Sequence, residues 1–180
     1  CKYPVVGLYN EHQPDFPNRR NCWQCDITDL DSIREFIDTY KLQTIENRLE
    51  QITVVHLAAI KKDELTAFCT PETFAEVLDV NVMGNFMLTR ELLKVMMAQK
   101  WGRIIHILSS GLGDVGTISY SASKYALVGM SAVLAREYAK YGITSNILQL
   151  GYFDTGMYRD LSEIKQDELI NQIPSKNLGN

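Results

Sequence analysis

Short runs of β-forming residues alternate with longer stretches whose apolar residues recur at helical spacing, and this alternation restricts the fold more than any other feature of the chain. Tyr3 to Tyr9 is a β-rich run, and a polar loop holding Pro14 and Pro17 leads to a short run around Cys22 to Cys25. Asp29 or Asp31 can cap a helix whose apolar stripe is Ile33, Phe36, Ile37 and Tyr40. Ile52 to Leu57 reads as the next strand, and Thr70 or Pro71 opens a helical stretch to about Gln99. A strand over 103–108, a helix over 120–139, a strand over 143–150 and a final helix near 160–171 follow. Strands separated by helices are joined by right-handed crossovers, which produce a parallel sheet with helices against its faces. The expectation is therefore an α/β chain: a doubly wound parallel sheet in three α/β/α layers.

One hundred and eighty residues, 46% of them apolar, suffice for one domain with a sizeable core. A formal charge of -4 argues against a nucleic-acid surface. No run approaches the length of a membrane span, and no charged start followed by an apolar stretch reads as a signal peptide. The composition points to a soluble, cytoplasmic chain. It begins at Cys1 rather than methionine, which reads as truncation in preference to a lipidated cysteine. Cys22-Trp23-Gln24-Cys25 has the spacing of a redox pair or half a zinc site, but Cys69 and His56 form no second close pair. The cysteines read as buried or incidental thiols, and no metal is predicted.

The chemistry concentrates in Tyr120-Ser121-Ala122-Ser123-Lys124. Four residues of helical spacing put the phenol and the amine on one face. An ammonium beside a phenol favours the phenolate and lowers its pKa, so the pair suits proton transfer to or from an alcohol or ketone. Ten residues earlier, Ser110 follows the apolar run Arg103 to Leu108, at the carboxyl end of a strand where open α/β sheets bind ligands. Upstream, Asn81-Val82-Met83-Gly84 interrupts a helical pattern, and downstream Leu150-Gly151 leads into Asp154-Thr155.

These four signals, in this order, resemble the short-chain dehydrogenase/reductase family, whose members carry Asn-x-x-Gly, a serine after a strand, Tyr-x-x-x-Lys and Pro-Gly-x-x-x-Thr. The resemblance runs from about residue 5 to the end of the chain. It implies a Rossmann-like domain and an NAD(P)-dependent oxidoreductase acting on a small-molecule ketone or secondary alcohol. Within it, Tyr120 exchanges the proton, Ser110 bonds the same oxygen, Lys124 holds the cofactor ribose and lowers the tyrosine pKa, and Asn81 supports a proton-carrying water. Asp26 and Ile27 match positions used around the adenine, while Gly151, Phe153 and Thr155 match positions near the nicotinamide. Ala58 falls in His56-Leu57-Ala58-Ala59, where the family commonly has Asn-Asn-Ala-Gly, and also matches a cofactor position. That His-Leu-Ala-Ala segment looks more like the nucleotide-sugar epimerases and dehydratases of the extended branch, the alternative reading.

Two features set the expected limits. By the distance of Val5–Tyr9 from Cys25-Asp26-Ile27-Thr28-Asp29, the opening run corresponds to the family's second strand, so residues 1–180 read as one incomplete domain. It lacks the first strand and its glycine-rich phosphate turn, and Ile173 to Lys176, which resembles an internal family segment, reads as a sign of loss at the carboxyl end too. Gly111-Leu112-Gly113-Asp114-Val115-Gly116 fits Gly-x-Gly-x-x-Gly but has no acid at the right distance, and reads as a substrate-side loop. Asn10 and Glu11 favour NAD, whereas Arg19 and Arg20 permit NADP. Met83, Met87, Met96, Met97 and helix 120–139 supply surfaces for a homodimer or homotetramer, as in the family. A non-catalytic remnant that cannot hold a dinucleotide is the competing class.

Overall fold

The computed structural model describes residues 5–11, 22–44, 51–154, 158–159 and 161–179, without the side chains of 40–44. The expected roles or placements of Tyr3, Pro14, Pro17, Arg19, Arg20, Thr155 and the Tyr40 side chain lie outside the described residues. Five strands are present among them: β1 (Gly7–Tyr9), β2 (Cys22–Gln24), β3 (Thr53–His56), β4 (Gly102–Ser109) and β5 (Ile143–Leu150). The helices are α1 (Leu30–Thr44), α2 (Pro71–Leu78), α3 (Asn85–Gln99), α4 (Ile118–Tyr138) and α5 (Glu163–Gln172). All strand pairs are parallel, in a two-stranded sheet β1-β2 and a three-stranded sheet β3-β4-β5.

Local chemistry sets several boundaries. Thr70 caps α2 by accepting from the Thr73 N–H, and Pro71 occupies the first turn, where its missing N–H costs nothing. The helix expected to run from 70 to 99 is divided by a π-helical turn over Asp79–Gly84, the segment whose Asn-Val-Met-Gly broke the pattern in the sequence. Gly84 is needed there, since a Cβ would stand 2.8 Å from two side-chain carbons of Ile27. At the turn between α4 and β5, Gly142 has φ +71, and a Cβ would approach the Lys100 carbonyl oxygen to 2.5 Å.

The core lies on one face of the sheet. Along β4, Gly102, Ile104, His106 and Leu108 are buried while the intervening residues are half-exposed, the period of two expected of a pleated strand. Ile104 and Ile143 pack with Ile33 and Ile37 of α1 and with Leu88, Leu92, Leu93 and Met96 of α3. Because the chain crosses from β3 to β4 to β5 in one direction, right-handed crossovers place α3 and α4 on the same side. Serines at 119, 123 and 131 let α4 approach closely, and the Ser131 hydroxyl meets that of Ser145 on β5 at 2.9 Å. The opposite face carries Val55, Ile105 and Leu148, and Val55 and Leu148 are 44% and 50% exposed. Cys25 is a buried member of the core, and Cys22 at the start of β2 is a free, half-buried thiol.

Candidate active site

Strand β4 ends at Ser109 and helix α4 begins at Ile118, so the loop between them hangs at the carboxyl end of the sheet. Two turns of α4 bring Tyr120 and Lys124 back against that end. Both are almost fully buried, at 5% and 4% exposure. The Lys124 ammonium donates to the Ile107 carbonyl at 2.9 Å and lies 5.5 Å from the centre of the Tyr120 ring. Burial pushes the Lys124 pKa down.

The structure corrects the serine. The hydroxyl that neighbours the Tyr120 phenol and favours its ionised form is that of Ser109, one residue before the Ser110 expected from the sequence. Ser109 closes β4, in register with Leu150 of β5. Ser109 Oγ also accepts from the Gly111 N–H at 3.2 Å, which anchors it. Ser110 is exposed, and its side chain is a hydrogen-bonding neighbour of the Tyr152 hydroxyl.

A second correction concerns the phenol. The sequence leads one to expect Lys124 to lower its pKa, but the Tyr120 pKa is raised, chiefly because burial disfavours the phenolate. Ser109 works against that rise, and the Asp63 carboxylate adds to it. Asp63 sits in the loop after β3, paired with Lys61 at 2.6 Å. Lys124 spends its ammonium on a backbone carbonyl and is not among the groups that shift the phenol.

Asn81, fully buried in the π turn, braces the site without touching the phenol. Its amide oxygen accepts from the Ile60 N–H at 2.8 Å, and its nitrogen donates to the Ile60 carbonyl and to Ser123 Oγ, each at 2.9 Å. Ser123 precedes Lys124, so Asn81 ties the loop after β3 to the helix that carries the pair. The π turn re-aims this side chain inward where a regular α-helical ladder would not.

Sequence reasoning missed a histidine pair. His56 and His106 are register partners on β3 and β4, and their rings stack at 5.0 Å and 10°. His56 Nε2 lies 2.8 Å from Thr89 Oγ1, whereas both ring nitrogens of the buried His106 lack a hydrogen-bond partner. Desolvation, with the neighbouring Lys124 charge, lowers the pKa of His56 to about 3 and that of His106 to about 4. His56 also feels the charge of His106. The signal was present in the sequence: both histidines occur in apolar runs at the same phase of the pleat.

The residues matched to cofactor positions follow strand ends. Asp26 comes just after β2, Ala58 after β3 and Gly151 directly after β5. Asp26 Oδ1 accepts from the Thr28 N–H at 2.8 Å and the Thr28 hydroxyl at 2.7 Å. Ile27, partly buried, packs its side chain against Gly84 and the core. Ala58 and Gly151 are exposed, and Phe153 packs against Gly179. Thr155 lies outside the described residues. The Gly111–Gly116 loop is no phosphate turn: Gly113 and Gly116 have φ +90 and +83 and precede the helix, and Thr117 and Ser121 tie the loop to α4.

The parallel sheet carries a buried Tyr-x-x-x-Lys pair at its carboxyl end, the motif on which the family resemblance chiefly rests. The family model described as short chain dehydrogenase matches residues 7–166, and the chain belongs to that oxidoreductase family. Among curated proteins it is similar to the 3-oxoacyl-[acyl-carrier-protein] reductase MabA of Mycobacterium avium, 35% identical over 158 residues, covering 87% of this chain and 60% of the relative. The corresponding reductase FabG of Pseudomonas aeruginosa is 35% identical over 141 residues, covering 77% and 57%. FabG of Salmonella typhimurium is 31% identical over 155 residues, covering 85% and 62%. The chain thus spans about three-fifths of the length of the curated relatives it matches. Among the described residues, no helix is long and apolar enough to cross a membrane.

Proposed function

We propose that this chain carries the catalytic part of an NAD(P)-dependent reductase that interconverts a ketone and a secondary alcohol, with Tyr120 as the acid/base. The observation that carries the reading is the grouping of the buried Tyr120 and Lys124 with the half-buried Ser109 where strand β4 ends. The names of the matched relatives make a 3-oxoacyl thioester on a carrier protein the favoured substrate.

The donor set fits the nicotinamide-ribose end of a dinucleotide. Lys124 has two ammonium protons left after its bond to Ile107, and Ala58 and Gly151 present little side chain beside the same strand ends. Asp26 offers a carboxylate oxygen at the other end, beyond the one held by Thr28. The described residues supply no pyrophosphate cradle, and among them β1 and β3 each stand at the edge of their sheet. The cofactor supplies the hydride. This chain's residues manage the proton and the charge: Tyr120 donates to the carbonyl oxygen as negative charge develops there, and Ser109 bonds the same oxygen. A phenol kept protonated by burial is suited to the reductive direction. Ser109 favours the phenolate left behind, and the Asn81 bridge holds Lys124's helix against the loop after β3. Phe86, Tyr125, Val128 and Val133 are exposed on the helices and offer an apolar surface to a second copy in a homodimer or homotetramer.

Titrating NADH and NADPH into the folded chain, followed by nicotinamide fluorescence, tests the reading against a non-catalytic remnant. Saturable, weak binding of at least one is expected. No binding of either up to millimolar concentration, on a sample with native circular dichroism, would overturn it.

A further inference from the structure

The buried histidine pair takes no part in the proposed proton transfer, yet it stands where the backbone ladder between β3 and β4 stops. His56 closes β3, and its register partner His106 lies 0% exposed beneath the helices. The Thr89 hydroxyl of α3, itself buried, lies 2.8 Å from His56 Nε2, and the parallel rings stack at 5.0 Å. Desolvation keeps both rings uncharged, and the Lys124 ammonium is near enough to add to that effect on each. One residue beyond His106, the Ile107 carbonyl accepts from that ammonium at 2.9 Å. The ladder explains why this carbonyl is open. The Arg103 N–H bonds to the Ile52 carbonyl at 3.1 Å, so every second residue of β4 from Arg103 turns its N–H and C=O toward β3. Ile107 is one of these, and the register would give it Leu57 as a partner. Pairing ends at His56 instead, and Leu57 is 69% exposed. Further on, the Asn81 amide holds both the N–H and the carbonyl of Ile60, so the segment after His56 is drawn off the sheet.

We propose that the His56–His106 stack, clamped by Thr89, is a positioning device for Lys124: it ends β3 at residue 56 and so reserves the Ile107 carbonyl for the ammonium. A carbonyl in this place must be bonded, and two donors compete for it, the ammonium and the next N–H of a longer β3. Thr89 and the stack hold the last β3 residue, Asn81 holds the segment beyond it, and the ammonium wins. The ring faces do the holding between the strands, since neither His106 nitrogen is bonded to a protein group. Both histidines act through Lys124 and touch no substrate. The role of the device in catalysis rests on Lys124 serving the cofactor ribose as proposed above, whereas the placement of the ammonium is a property of the chain alone.

The test reads the Lys124 amine directly, by trace acetylation of the folded chain with acetic anhydride and mass spectrometry, with the exposed Lys140 as internal reference. Thr89→Val is close to isosteric and removes only the hydroxyl. Its Lys124-to-Lys140 labelling ratio should rise about fivefold, the effect of one lost hydrogen bond. Thr89→Ser restores the hydroxyl and should bring the ratio back to within about twofold of the native chain. His106→Leu, which keeps the bulk and removes the ring, should raise the ratio at least as much as Thr89→Val. Leu92→Ala, a truncation in the core between α1 and α3, separates positioning from general loosening: its urea midpoint should fall while its ratio stays native. No rise in Thr89→Val, no recovery in Thr89→Ser, or an equal rise in Leu92→Ala would overturn the inference. These measurements need no cofactor. A native chain that binds neither NADH nor NADPH therefore defeats the reductase reading alone, and a flat labelling series defeats the positioning device alone.

Discussion

The three-stranded sheet and the two-stranded one are built to different standards. Strands β4 and β5 pair along eight residues and end together at Ser109 and Leu150, beside a 21-residue helix. Strands β1 and β2 pair over three residues and are joined to the rest through the α1–α3 contact, Cys25 and Ile27. The residues proposed to move a proton all stand on the longer sheet or its helices, while Asp26 and Ile27, matched to the adenine by resemblance, stand beyond the shorter one. Acid–base chemistry needs sub-ångström placement, which long strands and buried helices supply. A cofactor's far end tolerates looser support.

The sharpest way to break this contrast is at the serines. Ser109→Ala should lower kcat for ketone reduction by about 100-fold, the effect of removing one donor from the developing oxyanion. Ser110→Ala should stay within about threefold on a simple ketone, because it loses at most one exposed hydrogen bond. Steady-state rates with saturating cofactor decide between them. Equal effects would place the reacting oxygen elsewhere.

Gly84 tests the joint between the regions. Gly84→Val pushes a side chain into Ile27 and should cost about 1–3 kcal/mol of stability by overpacking, read as a lower urea midpoint. Weaker cofactor binding should accompany it, since Ile27 adjoins Asp26.

The histidine pair predicts a pH dependence confined to the longer sheet. His56 and His106 have folded pKa values of about 3 and about 4, below the ordinary 6.5. The unfolded chain therefore binds protons that the folded chain refuses. The pair's contribution to stability is complete above pH 6.5 and is lost as pH falls, down to about 4 for His106 and about 3 for His56. Urea midpoints at pH 7 and pH 5 should differ in the native chain and differ less in His106→Asn. The smallest effect belongs to Gly129, exposed within α4, where an added Cβ would meet nothing within 4 Å. Gly129→Ala should stabilise by about 0.5–1 kcal/mol through helix propensity, with unchanged kinetics.

Much of this was legible from residues alone. Periodicity located α1, α4 and the strands after residue 52, because long apolar stripes and uninterrupted runs record burial directly. The parallel sheet followed from their alternation, and Tyr120 with Lys124 from helical spacing. Ser110 was named in place of Ser109 because two adjacent serines at a strand end cannot be told apart from the run alone. The phenol's environment was misjudged for another reason: spacing brings Lys124 near, but burial dominates the titration and the ammonium is spent on the Ile107 carbonyl. The His56–His106 stack went unread because it is created by strand register, which no single run encodes.

The most direct test of the acid/base assignment is the rate at which Tyr120→Phe oxidises NADPH or NADH with a 3-keto ester, followed by nicotinamide absorbance at saturating cofactor. A loss of about 10³-fold or more against the native chain, with cofactor affinity retained, is the predicted result for removing the proton donor. A variant that keeps the native rate would contradict the assignment of Tyr120.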